Sequence, residues 1–522
     1  MTIMTEARID VAALDALLAP YDRTDAPGFA VGVALGGRPG YRRGVGMASI
    51  ELPVVLSPSI RMRIGSTSKH FCVLALMLLV EEGRLSLDDS PRRHLPELPA
   101  WADATTIRQL MAHTSGMRDS LDLLLITAGP GKAGPEDLQL KLLAGLDSVD
   151  FAPGTSWSYN NGGYVLLSEL VERLSGQSFG HFLKERILAP IGMYDTLLRE
   201  LDTVLLPNSA TLHVPLPDGG YARGVFGIPL KGEGGIVSTV DDMLLWLRHM
   251  SNPLIGTSAA WAEMRTPLAT HGYGLGLISD THRGLRTVHH SGGVIGGCCQ
   301  MVKVLDHDLD IIAISNGRSV VELYGLVDAI IDACIPGLPP APADSGGEPV
   351  AGDFHSPATG RVISLVAHGS AQAISFGGMV LPALRDVDGT IRVSIIPSDL
   401  SIKPVRQGRE IVALDVTEYG NLDRLHLVTP PSATSLAGRE GAYAHGPAGI
   451  EGRLYAGAGD RPRLLLSGPI GSLDYGLEPI GPNLWRTVPP DGLPIAATLE
   501  FQDDRFLLTT GRTRRLPFTR TA

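Results

Sequence analysis

Cysteine is scarce in this chain, with only Cys72, Cys298, Cys299 and Cys334 among 522 residues. That is too few for a disulfide framework, and no Cys/His spacing resembles a zinc site. The adjacent Cys298 and Cys299 fall in an apolar, strand-like run and read as packing residues. Basic residues are outnumbered, 44 Lys and Arg against 55 Asp and Glu, for a formal net charge of −11. This leaves no electrostatic footprint for nucleic acid and no polybasic patch for a membrane surface. Long apolar runs are missing too. The longest tight one, residues 71–80, is half the length of a membrane span. The opening MTIMTEARIDVAALDALL carries acidic residues and lacks the apolar centre of a signal peptide. Together these absences predict a cytoplasmic protein with neither nucleic acid nor membrane as partner. They argue against a role in periplasmic cell-wall synthesis.

What is present is ordinary for a globular chain: 44% hydrophobic and 19% charged residues. The length predicts more than one domain. Residues 9–20 read as an amphipathic helix, and strand-like runs at 28–35 and 41–49 follow, joined by GGRPG. Residues 66–250 are mainly helical in pattern, with Gly83 and Gly176 where helix C-caps belong. Strand signals return at 273–277, 286–290, 298–305 and 310–316, and a last helix closes near 334. A hairpin at the start and strands at the end, around a helical middle, predict one antiparallel sheet flanked by helices. Residues 336–352 are rich in Pro, Gly and Ala and read as a linker. Beyond them helical patterning vanishes, and short alternating segments with frequent turns predict all-β barrels or sandwiches. A weak echo between 352–362 and 441–454 divides this tail in two, with a boundary near 433–440. The expected organisation is an α+β domain over 1–335, a linker over 336–352, and two small barrel-like domains over 353–435 and 436–522.

Three features carry chemistry. RIGSTSKHFCVLALMLLVEEG sets Ser66 and Lys69 one helical turn apart, on one face, at the start of an apolar helix. A serine hydroxyl is a poor nucleophile until a nearby base takes its proton. A partly desolvated lysine is suited to that role, and free N–H groups at the helix start suit an oxyanion. Of all the lysines, only Lys69 has a serine three residues before it. PGTSWSYNNGGYVLLSELVERLSG leads from a Pro-Gly turn through Tyr159 and Asn161 into a helix. A tyrosine beside a lysine ammonium makes a general base, and Asn161 has a donor for a substrate carbonyl. VHHSGGVIGG ends a strand with His290, Ser291, Gly292 and Gly293, where glycine lets a ligand approach the backbone edge. Each feature alone also reads as an ordinary turn, cap or structural histidine.

Together, S-x-x-K, Y-x-N and H-x-G resemble the active-site triplet of the serine β-lactamase and D-alanyl-D-alanine peptidase superfamily. LMAHTSGMRD (110–119), GRLSLDD (83–89), APIGMYDT (189–196) and GEGGIVSTVDDMLLW (232–246) resemble its class C β-lactamase and esterase branch. The resemblance spans residues 10–335 and implies the β-lactamase/transpeptidase fold. It implies Ser66 as nucleophile, Lys69 and Tyr159 as proton handlers, and the N–H groups of Ser66 and Gly293 as the oxyanion hole. Asn161 would orient substrate and Lys69, and His290 would shape the leaving-group side. No metal or organic cofactor is implied. Many members carry K-T-G where this chain has His290-Ser291-Gly292, and histidine there is found among D-aminopeptidases, D-amino-acid amidases and some esterases. The change weakens the fixed cation that greets a substrate carboxylate. A superfamily domain followed by two β domains is similar to the bacterial D-aminopeptidases, in which a loop from the last β domain reaches the catalytic cleft. The counterpart here would lie in 464–479, with Asp474 as partner for a substrate ammonium or as a plain turn aspartate.

The leading expectation is thus a serine hydrolase of small peptides or amides, D-aminopeptidase-like. Alternatives are a hydrolase of linearised microcystin-type peptides, a carboxylesterase or β-lactamase-like hydrolase, and a non-catalytic penicillin-binding-type sensor. The β tail is expected to gate the cleft, to mediate a homodimer, or both.

Overall fold

The computed structural model describes residues 6–268, 271–369, 371–393, 399–431, 436, 438–490, 493 and 495–521. The chain divides into two compact units. The first comprises Met1–His94, Thr106–Ala112 and Tyr164–Ala341; the second comprises Leu95–Thr105, His113–Gly163 and Pro342–Ala522. Residues expected to form one catalytic domain, 1–335, therefore contribute to both. The longer helices are α1 (Val11–Leu18), α2 (Lys69–Glu81), α3 (Ser120–Ala128), α4 (Asn161–Ser175), α5 (Val240–Ser251) and α6 (Val320–Cys334).

A six-stranded antiparallel sheet organises the first unit. Its strands are β1 (Phe29–Leu35), β2 (Arg38–Val45), β3 (Ile278–His282), β4 (Leu285–Val294), β5 (Gly297–Val304) and β6 (Leu309–Ser315). Their spatial order is β3-β4-β5-β6-β1-β2, so the opening hairpin pairs with the last strand, from Phe29↔Ser315 to Leu35↔Leu309. β5 and β6 are buried along their whole length, which explains why they read as continuous apolar runs rather than alternating ones. On one face, Leu14 and Leu18 of α1 and Leu323, Val327 and Ile330 of α6 pack over Val31, Val33, Ile311 and Ala313. On the other face Gly32 admits α5: a Cβ there would lie 2.6 Å from Val240 Cγ1. α2 is buried at every position from Lys69 to Leu79, so its apolar surface is continuous around the helix. Gly83 and Gly176, the expected C-cap glycines, have φ of +69° and +74°.

The second unit holds α3 and two closed barrels of eight strands each, one from Gly352–His355 to Asn421–Val428, the other from Gly441–His445 to Leu516–Arg520. This is the α+β architecture with two all-β barrels that the patterning predicts. Part of the boundary expected near 433–440, residues 432–435 and 437, lies outside the described residues. Alternate inward residues fill the first barrel, among them Phe354, Ile363, Ile374, Ile402, Leu414 and Leu425. In the second, Phe506 stacks on Phe518 at 4.7 Å.

α3 lies against the second barrel. The Tyr475 hydroxyl donates to the Ile126 carbonyl at 2.7 Å, and Gly468 and Gly471 make room for Thr127 and Ala128. Two buried carboxylates sit under the turn that joins the barrel's last two strands. Asp122 accepts from the Thr510 hydroxyl, and Asp150 accepts from Arg118 (2.7 Å) and from the Arg514 N–H (2.8 Å). Burial pushes both carboxyls up to about 6; the nearby Asp119 adds to the rise at Asp122, and Arg118 opposes it at Asp150. A carboxyl whose folded value exceeds its unfolded one favours the fold while protonated. That contribution is whole below the ordinary value of 3.8 and is lost as pH rises through about 6. Asp122→Asn keeps an acceptor for Thr510 without the charge. It is expected to stabilise the protein by about 1–2 kcal/mol at about pH 7.5 and to have little effect at about pH 4.5. Thermal unfolding at the two pH values checks this; equal destabilisation at both would show that the ionised carboxylate supports the fold.

Candidate active site

In the first unit, the start of α2 meets the end of β4. Gly65, with φ +54°, turns the chain into a short 3-10 segment, Gly65–Ser68, that continues as α2. This leaves Ser66 partly exposed and Lys69 completely buried. Lys69 Nζ lies 3.1 Å from Ser66 Oγ and 2.8 Å from the Glu233 carbonyl oxygen, with the Tyr164 ring centroid at 5.1 Å. The Glu233 carbonyl is itself held in place. Its side chain accepts from the Lys231 N–H at 3.0 Å, and Lys231 Nζ is clamped by Glu169 (2.8 Å) and Glu172 (2.6 Å) of α4.

Glycine explains how β4 comes so close. A Cβ on Gly292 would lie 1.8 Å from the Ile64 carbonyl oxygen and 3.0 Å from Ser66 N, and one on Gly65 would lie 2.8 Å from Gly293 N. A Cβ on Gly293, by contrast, would meet nothing within 4 Å. The backbone of Gly293 is thereby brought beside that of the nucleophile turn. His290, two residues earlier than Gly292, is buried with both ring nitrogens engaged. Nδ1 lies 2.6 Å from the Ser291 carbonyl, which can only accept, so Nδ1 carries the proton; Nε2 accepts from the Tyr273 hydroxyl at 3.2 Å. Burial first, and then the charge of Lys69, pushes His290 down to about 3, so the ring is neutral at any physiological pH. The position that holds a lysine in K-T-G relatives bears no charge here.

In the second unit, the segment ahead of α4 presents Tyr159 and Asn161. The His113 carbonyl accepts from the Ser158 N–H (3.0 Å), His113 Nδ1 accepts from the Asn160 N–H (3.1 Å), and its ring lies 4.3 Å from that of Tyr159. Asp119, fully buried, caps α3 through Oδ1, which accepts from the N–H of Leu121 at 2.9 Å. Its Oδ2 accepts from Asn161 twice, from the backbone N–H at 2.9 Å and from Nδ2 at 3.3 Å. Both barrels touch this segment. Tyr419 of the first stacks on Trp157 at 4.4 Å, and Arg512 of the second lies over the Tyr159 ring at 5.1 Å.

Of the residues predicted from sequence, Ser66, Lys69, Gly292 and Gly293 meet in the first unit, with His290 on the same strand. Tyr159 and Asn161 are held together in the second. Asp474 stands on the strand Gly471–Gly481, and its carboxylate is engaged by Arg463 (2.9 Å) and the Tyr455 hydroxyl (2.8 Å) of its own barrel. The contact to the Tyr159 segment comes from a different turn, the one between Arg505–Thr509 and Leu516–Arg520. Sequence reasoning also passed over Asp119, His113 and the Glu233 carbonyl. Asp119 had a legible signal, an aspartate directly before the apolar run of α3. Among the described residues no group of three or more His, Cys, Asp or Glu side chains is arranged to hold a metal ion.

The Beta-lactamase family matches residues 14–328. The D-aminopeptidase of Brucella canis is 30% identical over 375 residues, which cover 70% of either chain. Among solved structures, the octameric penicillin-binding protein homologue from Pyrococcus abyssi superposes with a TM-score of 0.56 at 19% identity, covering 89% of this chain and 100% of that one. The D-amino acid amidase from Ochrobactrum anthropi SV3 gives 0.54 at 22% identity, over 62% and 98% of the respective chains. The chain belongs to the serine β-lactamase and penicillin-binding-protein superfamily, on the side of the D-aminopeptidases. It is an enzyme, a serine hydrolase of the peptidase and amidase type.

Proposed function

We propose that the protein hydrolyses amide bonds of small peptides or amino-acid amides through an acyl-enzyme on Ser66, with a D-residue preferred at the substrate N-terminus. The observation that carries this reading is the Lys69–Ser66 contact on a fully buried lysine, in a chain 30% identical to a D-aminopeptidase. In the proposed mechanism Ser66 Oγ attacks the scissile carbonyl while Lys69 and Tyr159 share its proton. The N–H groups of Ser66 and Gly293 hold the oxyanion, and Asn161, fixed by Asp119, orients the substrate. Tyr159 or Lys69 then delivers the proton to the departing amine, and water releases the acyl group by the reverse path. Two groups that share one proton titrate as a pair. The neutral His290 supports substrates that bear no carboxylate at that end. The four free, buried cysteines fit the reducing cytoplasm expected as its place of action.

Paired L- and D-aminoacyl p-nitroanilides, with p-nitrophenyl acetate alongside, test the reading. Repeated turnover of the D-amides is expected. Turnover of the ester alone would reassign the enzyme as an esterase or as a peptidase of longer chains. A single burst would make it an acylating sensor.

A further inference from the structure

The last hairpin turn of the second barrel carries Arg512, Arg514 and Arg515. Arg514 gives its N–H to Asp150, and Arg515 donates to the Pro357 carbonyl. Arg512 instead turns toward the Tyr159–Asn161 segment. Its Cζ lies 5.1 Å from the centroid of the Tyr159 ring, and its Nη1 lies 3.6 Å from Asp119 Oδ2, the oxygen that holds Asn161. The turn itself is fixed: Thr510 Oγ accepts from the N–H groups of Arg512 (3.2 Å) and Thr513 (3.0 Å) and donates to Asp122.

We propose that Arg512 is a positioning residue of the active site, supplied by the second barrel, that holds Tyr159 and Asn161 in place and favours the phenolate of Tyr159 by its charge. The inference rests on the hydrolase reading above. A cation over a phenol ring favours the ionised form, and a carboxylate nearby disfavours it. Within its unit the ring of Tyr159 meets His113, from the loop before α3, and Arg512, from the barrel; Arg512 in turn lies near the carboxylates of Asp119 and Asp122 at the start of α3. The proposed mechanism adds Lys69 from the other unit. Arg512 therefore acts twice, directly on the ring and by offsetting Asp119.

The test compares Arg512→Met, Arg512→Gln and Arg512→Lys with wild type on the amide it turns over best, with Ser66→Ala as control. Arg512→Met is expected to lower kcat about tenfold with little change in KM, and to move the acid limb of the kcat/KM profile up by about one pH unit. Arg512→Gln, which keeps a polar side chain over the ring without the charge, is expected to shift the limb as far with a smaller loss of kcat. Arg512→Lys is expected to keep the limb in place, and added guanidinium to restore part of the Arg512→Met rate. An unmoved limb in both neutral variants, a loss confined to KM, or a Lys variant that shifts like Met would overturn the proposal. Wild type with no Ser66-dependent activity would instead remove the hydrolase reading on which it stands.

Discussion

Replacing Ser66 by alanine is expected to lower kcat/KM for amide hydrolysis by about a thousandfold or more, the scale on which serine hydrolases lose rate without their nucleophile. The fold is expected to survive the change. Ser66 is partly exposed, and the hydrogen-bond partner of its Oγ among the described residues is Lys69 Nζ. Lys69 keeps the Glu233 carbonyl at 2.8 Å when the hydroxyl is gone, so no donor in this pair is left buried and unpaired. Thermal unfolding should therefore change little while turnover disappears. Mass spectrometry of the enzyme caught on a slow ester gives a second check, since the acyl adduct should map to Ser66 in wild type and be missing from the variant. Full activity in Ser66→Ala would place the nucleophile elsewhere and take the mechanism with it.

Gly292→Ala is expected to have the next largest effect, at least about a hundredfold in kcat/KM. The new Cβ would fall 1.8 Å from the Ile64 carbonyl oxygen, a backbone atom that cannot swing aside as a side chain would. Either β4 or the Ser66 turn must retreat by about an ångström, and a misplacement of that size is worth about two orders of magnitude at a reacting centre. Gly293→Ala is the informative neighbour. Its Cβ would meet nothing within 4 Å, so its unfolding midpoint should match wild type. Equal loss of activity in the two variants, with unchanged stability in both, would mean that the close backbone contact does not matter for catalysis.

Much of this was legible before any coordinates. β1 announced itself by an apolar run and β2 by a strand-like stretch beyond GGRPG, and the tail by alternation and turns, because strand period and turn chemistry are local properties. Ser66 and Lys69 were legible for the same reason, being one helical turn apart. Arg512 was not. An arginine in the polar turn T-G-R-T-R-R looks like any solvated hairpin tip, and which tip of a barrel faces a helix is decided by packing between distant segments. The expectation for 464–479 and Asp474 rested on resemblance alone. That hairpin packs on α3 through Tyr475 and two glycines, and Asp474 lies on its strand with Oδ2 held by Arg463 and Tyr455. His290 was half read. Its neutrality was expected from an ordinary imidazole, whereas the structure makes it neutral by burial, with Tyr273 as a partner that no spacing suggested.

The contacts that seat the Tyr159 segment join residues made far apart in time. Thr510 and Asp122 are 388 positions apart, Arg118 and Arg514 are 396 apart, and Tyr475 and Ile126 are 349 apart. At about 5–20 residues per second, a ribosome takes about 20–80 s to pass from one partner to the other. During that interval the first sheet gains all its strands, while Asp122 and Asp150 have yet to meet Thr510 and Arg514. The segment that carries Tyr159 thus stays without these three contacts until the strands of the second barrel have been made.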